Sequence, residues 1–143
     1  AFGAVSAVAN PVSELAGYWT GTGAVLLTNG NTEQVKCAVI YKVSPNGREV
    51  KQSLRCASPA YNINAAAELQ VNGGAVSGKW EEKNYSQTGD VTGKMTDAGF
   101  ALAIKGLNFS AAMNVNGTGC KQSINITPQG TDVTKITIGL GKC

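Results

Sequence analysis

The side chains able to do chemistry in this chain are few, and their types narrow what that chemistry is. None of the 143 residues is a histidine. Every histidine-based nucleophilic triad and the commonest metal ligand are therefore excluded. Serine chemistry would need a lysine base, and Ser77-Gly78-Lys79 and Ser123 read as ordinary strand and turn residues. Glu81-Glu82 is the one adjacent carboxylate pair. On a strand, neighbours point to opposite faces, so these two cannot act at one centre. Whichever points inward would need a partner such as Lys94. A glycosidase needs two carboxylates across a cleft, and nothing in the sequence marks such a pair. Asn72-Gly73-Gly74 reads as a hairpin turn, because no helical pattern follows it as a phosphate loop requires. The expectation is a protein that is not an enzyme and needs no cofactor or metal.

The remaining reactive groups are four cysteines, Cys37, Cys56, Cys120 and Cys143. No two have Cys-x-x-Cys spacing, so a zinc ribbon or thioredoxin-type motif is unsupported. Of the three possible connectivities, the local one, Cys37–Cys56 with Cys120–Cys143, has a geometric argument. A two-residue Asn46-Gly47 turn places Cys37 directly opposite Cys56, and Asn-Gly favours a type I′ hairpin. A competing register takes Pro45-Asn46-Gly47 as a type I turn with Gly47 left-handed, which sets Cys37 opposite Arg55. Pro45 also lacks the N–H that the two-residue hairpin would use. Cys120 and Cys143 flank a second strand pair. Disulfides imply an oxidising compartment, a periplasm or the cell exterior. The opening Ala1-Phe2-Gly3-Ala4-Val5 fits a mature chain left by signal-peptide cleavage.

The elements that must carry these residues are strands. Apolar residues make up 43% of the chain and charged residues only 15%, a balance that argues against disorder. No apolar run is long enough to span a membrane as a helix. Runs rich in Val, Ile, Leu, Thr and Tyr alternate with Gly, Asn, Asp and Pro clusters. They give ten candidate strands, at 17–27, 35–43, 49–56, 66–71, 75–83, 88–95, 100–105, 111–115, 120–127 and 133–140. The alternation is clean where Val35, Cys37, Val39, Tyr41 and Val43 share one face. The pattern predicts an all-β domain over residues 14–143, an antiparallel up-and-down barrel of about 8–10 strands with two local disulfides. Residues 1–13 read as an N-terminal arm or a short helix ending near Pro11. Residues 59–67 read as a short helix or a lid.

Leu15-Ala16-Gly17-Tyr18-Trp19 resembles the Gly-x-Trp signature of the first strand in the lipocalin and avidin-like (calycin) barrels. In those families the Trp closes one end of the barrel beneath a basic residue from the last strand. Gly17 and Trp19 match that pattern, and Lys135 or Lys142 stands where the family usually has arginine. The resemblance implies a binding protein for a small apolar or amphipathic molecule held in or at the mouth of the barrel.

Trp19, Tyr41 and Trp80 are the candidate ligand-binding residues, each also explicable as core packing. Tyr18, Tyr41, Tyr61 and Tyr85 are candidates to place hydroxyls at a cavity mouth. The lysines are scattered, with Lys36 and Lys42 on the face opposite Cys37. With a net charge of +3 and few aromatics beside the lysines, nucleic acid is not expected as a partner. Edge and surface lysines that block strand-to-strand aggregation explain them. The competing expectation is an envelope module that binds protein or glycan through its outer surface, with an exposed apolar patch around Pro59–Ile63.

Overall fold

The period-two pattern closes into a ring. A computed structural model describes residues 11–143. A short helix, α1 (Pro11–Leu15), precedes ten strands: β1 (Gly17–Leu27), β2 (Thr32–Val43), β3 (Glu49–Ala57), β4 (Asn62–Asn72), β5 (Ala75–Glu82), β6 (Gln87–Thr96), β7 (Gly99–Gly106), β8 (Ser110–Thr118), β9 (Lys121–Gln129) and β10 (Val133–Gly141). Each strand pairs antiparallel with the next, and β10 returns to β1, from Thr20↔Gly141 to Leu27↔Val133. The result is the expected all-β, up-and-down barrel, and closure removes every free sheet edge.

Alternation decides what lies inside. Val35, Cys37, Val39 and Tyr41 of β2 are buried, as are Val50, Gln52, Leu54 and Cys56 of β3. Lys36 and Lys42 stand on the outer wall between them. Each fully buried valine, leucine or isoleucine stabilises the folded state by about 1.5–3 kcal/mol. Where strands approach too closely for any side chain, glycine is required. A Cβ on Gly21 would collide with the carbonyl oxygen of Gly139, and one on Gly78 with that of Glu68.

The β2–β3 hairpin combines the two expectations for its turn. Cys37 pairs with Cys56 and Val43 with Val50, the register of the Asn46-Gly47 turn. The turn itself is type I: the Gly47 N–H donates to the Ser44 carbonyl at 2.9 Å, and Gly47 has a φ of 73°. Both hold because the Ser44 N–H donates to the Glu49 carbonyl at 2.9 Å, so the loop spans Pro45 to Arg48 around the type I turn. Pro45 needs no N–H there. The Asn46 carboxamide oxygen accepts from the Arg48 N–H at 3.0 Å.

The opposed cysteines form one disulfide, Cys37–Cys56, with Cα atoms 4.1 Å apart. Cys120–Cys143 forms the other, and no cysteine is free.

Two local expectations change. Residues 62–67 are neither helix nor lid, because β4 begins at Asn62. Ile63, Ala65, Ala67 and Leu69 are buried, and β4 hydrogen-bonds to β3 on one side and β5 on the other. Two ladders outweigh the helix preference of an alanine run. The helix near Pro11 starts there instead of ending there. Proline suits a first helical position, where its fixed φ fits and its missing N–H has no partner to lose. Of the expected arm, residues 1–10 lie outside the described residues. Val12 and Leu15 of α1 are buried in the barrel core.

Replacing Cys37 and Cys56 together by alanine is expected to lower the unfolding free energy by about 2–4 kcal/mol. Urea titration followed by circular dichroism checks this, with the strand spectrum retained in buffer.

Candidate functional site

The two ends of the barrel differ in what the chain sends inward. At one end, Trp19 is fully buried and its indole N–H donates to the Leu15 carbonyl at 2.8 Å. Lys142, just past β10, sets its Nζ 4.7 Å from the centre of the Trp19 ring. The same ammonium donates to the carbonyls of Glu14 at 2.6 Å and Ala16 at 3.1 Å. One cation thus satisfies carbonyls at the end of α1 and sits on the ring face. Of the two candidate lysines, Lys142 takes this place. Lys135 is exposed and pairs with Leu26 toward the other end of β1.

Beside them, the Tyr41 hydroxyl donates to Gln122 Oε1 at 2.6 Å and accepts from Gln52 Nε2 at 2.9 Å. All three side chains are buried. Burial holds the Tyr41 phenol far above its ordinary pKa, with the Gln52 hydrogen bond acting in the opposite direction. This end is sealed by α1, Trp19 and the Tyr41–Gln52–Gln122 network.

The opposite end is open. A cavity of about 370 Å³ enters the barrel between the β5–β6, β7–β8 and β9–β10 connections. Its depth is apolar: Leu54, Ile63, Ala65, Ile104, Met113 and Ile126 line it. Trp80 projects inward from β5 and is half-buried. It meets Phe109 with ring centroids 5.4 Å apart and planes tilted by 54°, a favourable aromatic geometry. Phe109 is placed by its own loop. The Gly106 N–H donates to the Phe109 carbonyl at 2.9 Å, and the Phe109 ring fills the space a Cβ on Gly106 would occupy.

The rim is polar and aromatic. Tyr61 and Tyr85 face one another with centroids 6.5 Å apart. The Ser58 Oγ accepts from the Tyr61 N–H at 2.9 Å, which pins the loop that carries Tyr61. Glu82 points inward and is 6% exposed. Its carboxylate accepts from the Tyr85 N–H at 2.8 Å and the Asn64 N–H at 2.5 Å. The expected partner Lys94 is not involved; it is exposed on β6 and pairs with Ala75 and Ala101 at the far end of the ladders. Two backbone donors satisfy the glutamate where a lysine was expected. Asp132 completes the rim. The Tyr61 hydroxyl is pushed above its ordinary pKa by burial first, then by Tyr85, Asp132 and Glu82.

The three residues singled out from sequence therefore separate. Trp19 and Tyr41 build the sealed end, and Trp80 lines the open one. Tyr61 and Tyr85 stand at the mouth, while Tyr18 is exposed on the outer wall of β1. Phe109 and Asp132 lie in connections and carry no periodic signal. An aromatic residue three positions after Gly106, inside a turn, is the one hint that Phe109 packs against something. No group of three or more potential metal ligands occurs among the described residues.

No protein-family model matches the chain, and no curated protein matches it. The architecture is that of a closed, ten-stranded antiparallel barrel consistent with a calycin-type fold.

Stability is expected to fall as pH rises above about 10, the ordinary tyrosine value. The unfolded chain then releases the Tyr41 proton while the folded chain keeps it, so each further pH unit costs about 1.4 kcal/mol from this group. Denaturant titrations across alkaline pH check the slope, and Tyr41→Phe should flatten it while lowering stability at neutral pH by about 1–3 kcal/mol, because Gln52 and Gln122 lose their partner.

Proposed function

We propose that the protein is an exported, non-enzymatic binding protein of the calycin type that holds a small, largely apolar molecule at the mouth of its barrel. The observation that carries this reading is the 370 Å³ cavity at the unsealed end. That volume lies within the range of small-molecule sites, as does its make-up of apolar walls with a few polar groups at the opening. Trp80 and Phe109 supply flat apolar surface, and Tyr61, Tyr85, Gln87 and Asn108 supply hydrogen-bonding groups where a ligand's polar end would emerge. The two disulfides support a periplasmic or secreted location. The stacked pair of Lys142 and Trp19 supports the calycin relationship.

A second reading is docking to an envelope protein or glycan through the outer wall. Tyr18 and Ile40, directly paired across β1 and β2, are both exposed. The patch expected around Pro59–Ile63 does not serve this reading, because Ile63 is buried and Tyr61 turns toward the cavity.

Titration with decanol, a neutral amphiphile, should produce a saturable change in tryptophan fluorescence. Trp19 is sealed away, so the change should vanish in Trp80→Phe. Ala111→Phe, which adds bulk to a cavity wall, should weaken binding at least about tenfold. An unchanged spectrum with decanol, or undiminished binding in a folded Ala111→Phe protein, overturns the reading. Capture of an envelope component that Tyr18→Ser and Ile40→Ser abolish would favour the second reading.

A further inference from the structure

The chain is basic, with twelve Lys and Arg against nine Asp and Glu, yet its deep cavity carries the opposite charge. Glu82 and Asp132 are among the residues lining it, and no lysine or arginine is. The cations lie elsewhere: Lys36, Lys42, Lys51, Arg55, Lys79, Lys94 and Lys105 are all exposed on strands facing out. Lys79 pairs with Asp90 on the outer wall, and Lys83, in the β5–β6 connection beside Glu82, is exposed and does not line the cavity.

Glu82 is held at the cavity wall without a cationic partner, since two backbone N–H groups satisfy its oxygens. Its charge is thus positioned but not cancelled by a side chain. The same opening is lined by aromatic residues, Tyr61 and Tyr85 at the rim and Trp80 and Phe109 below. The face of an aromatic ring carries negative potential and attracts organic cations, most strongly where water is partly excluded. A carboxylate headgroup would meet two carboxylates and four aromatic rings there, with no lysine or arginine among the lining residues to receive it. The Tyr61 pKa is raised first by burial and then further by Tyr85, Asp132 and Glu82, so the carboxylates add in the same direction to a mouth that disfavours negative charge.

We propose that the mouth selects an organic cation: an amphiphile whose ammonium-type head sits between Tyr61, Tyr85, Glu82 and Asp132 while its apolar body passes Trp80 and Phe109 into the barrel. This rests on the ligand-binding reading above and narrows it to one chemical class, excluding fatty acids. Asp132 is the adjustable charge, because it is exposed and the hydrogen bond it makes to Thr28 uses only its backbone carbonyl.

The test compares three ligands with one chain and different heads: decyltrimethylammonium, decanol and decanoate, each below its micelle concentration. Binding is read by calorimetry and by Trp80 fluorescence. The cation should bind at least about tenfold more tightly than decanoate, with decanol between. Asp132→Asn should shrink the ratio of cation to decanoate affinity about threefold or more, leave decanol unchanged, and mimic the effect of added salt. Equal affinities for the three heads, tighter binding of decanoate, or a ratio untouched by Asp132→Asn would each overturn the charge selection and leave the ligand-binding reading standing. Failure of all three to bind would remove both.

Discussion

Closure of the hydrogen-bond ladder between β1 and β10 is the constraint on which the rest of the molecule depends. Once the ring is shut, every strand must keep one parity of its residues inside, and the interior becomes a fixed space to be shared. A slip of one residue at any ladder would exchange the two faces of that strand. Glycines fall in this seam at Gly21, Gly23, Gly139 and Gly141. Gly21 and Gly139 meet backbone to backbone, and the β-bulge at Leu26/Leu27 absorbs the one irregularity in the pairing. The two disulfides then fasten the ring at separate places, Cys37–Cys56 across a hairpin and Cys120–Cys143 at the edge of the sealed end.

Within that fixed space, the character of the two ends follows from side-chain size. Large inward residues gather where α1 lies: Trp19, Tyr41 and Phe100 are all buried, and Gln52 and Gln122 supply the polar partners that a buried phenol requires. Toward the other end some inward positions are small, Ala65 and Ala111, and part of the interior is left unfilled as the cavity. Trp80 and Phe109 narrow its opening without filling it. The same chain thus uses its aromatic residues in two ways. Trp19 is a plug whose polar atom is satisfied internally, and Trp80 is a wall with one side left free.

Much of this was legible in the residues. The ten strands follow from period-two runs punctuated by glycine and asparagine, and β1 begins and ends where the pattern says it should. The cysteine pairing follows from opposition across a hairpin. What alternation does not carry is size. Ala65 and Ala67 read as helix formers, although the neighbouring strands on both sides hold them in a sheet. Nor does alternation carry the positions of residues in connections. Asp132 and Phe109 reach the mouth through loops whose paths depend on contacts with other loops, such as the approach of Gly130 to the backbone of Asn108. Glu82 was visible as half of an inward-or-outward choice, but its partners are backbone amides that no residue type announces.

Nine of the ten ladders join strands adjacent in sequence, and only the seam joins the two extremes of the barrel. Hairpins of the first kind form in microseconds, whereas a pairing so distant along the chain carries most of the loop-closure entropy. The meander therefore can assemble progressively while remaining an open, curling ribbon with two sticky margins. Lys142 lies immediately beyond the last strand and reaches Trp19 only when that ribbon curls shut, whereas Cys143 meets Cys120 within the β9–β10 hairpin. The contact of Lys142 with Trp19 is accordingly a finishing step, reached only once all ten strands are present, and the margins stay vulnerable to pairing with another chain until it is made.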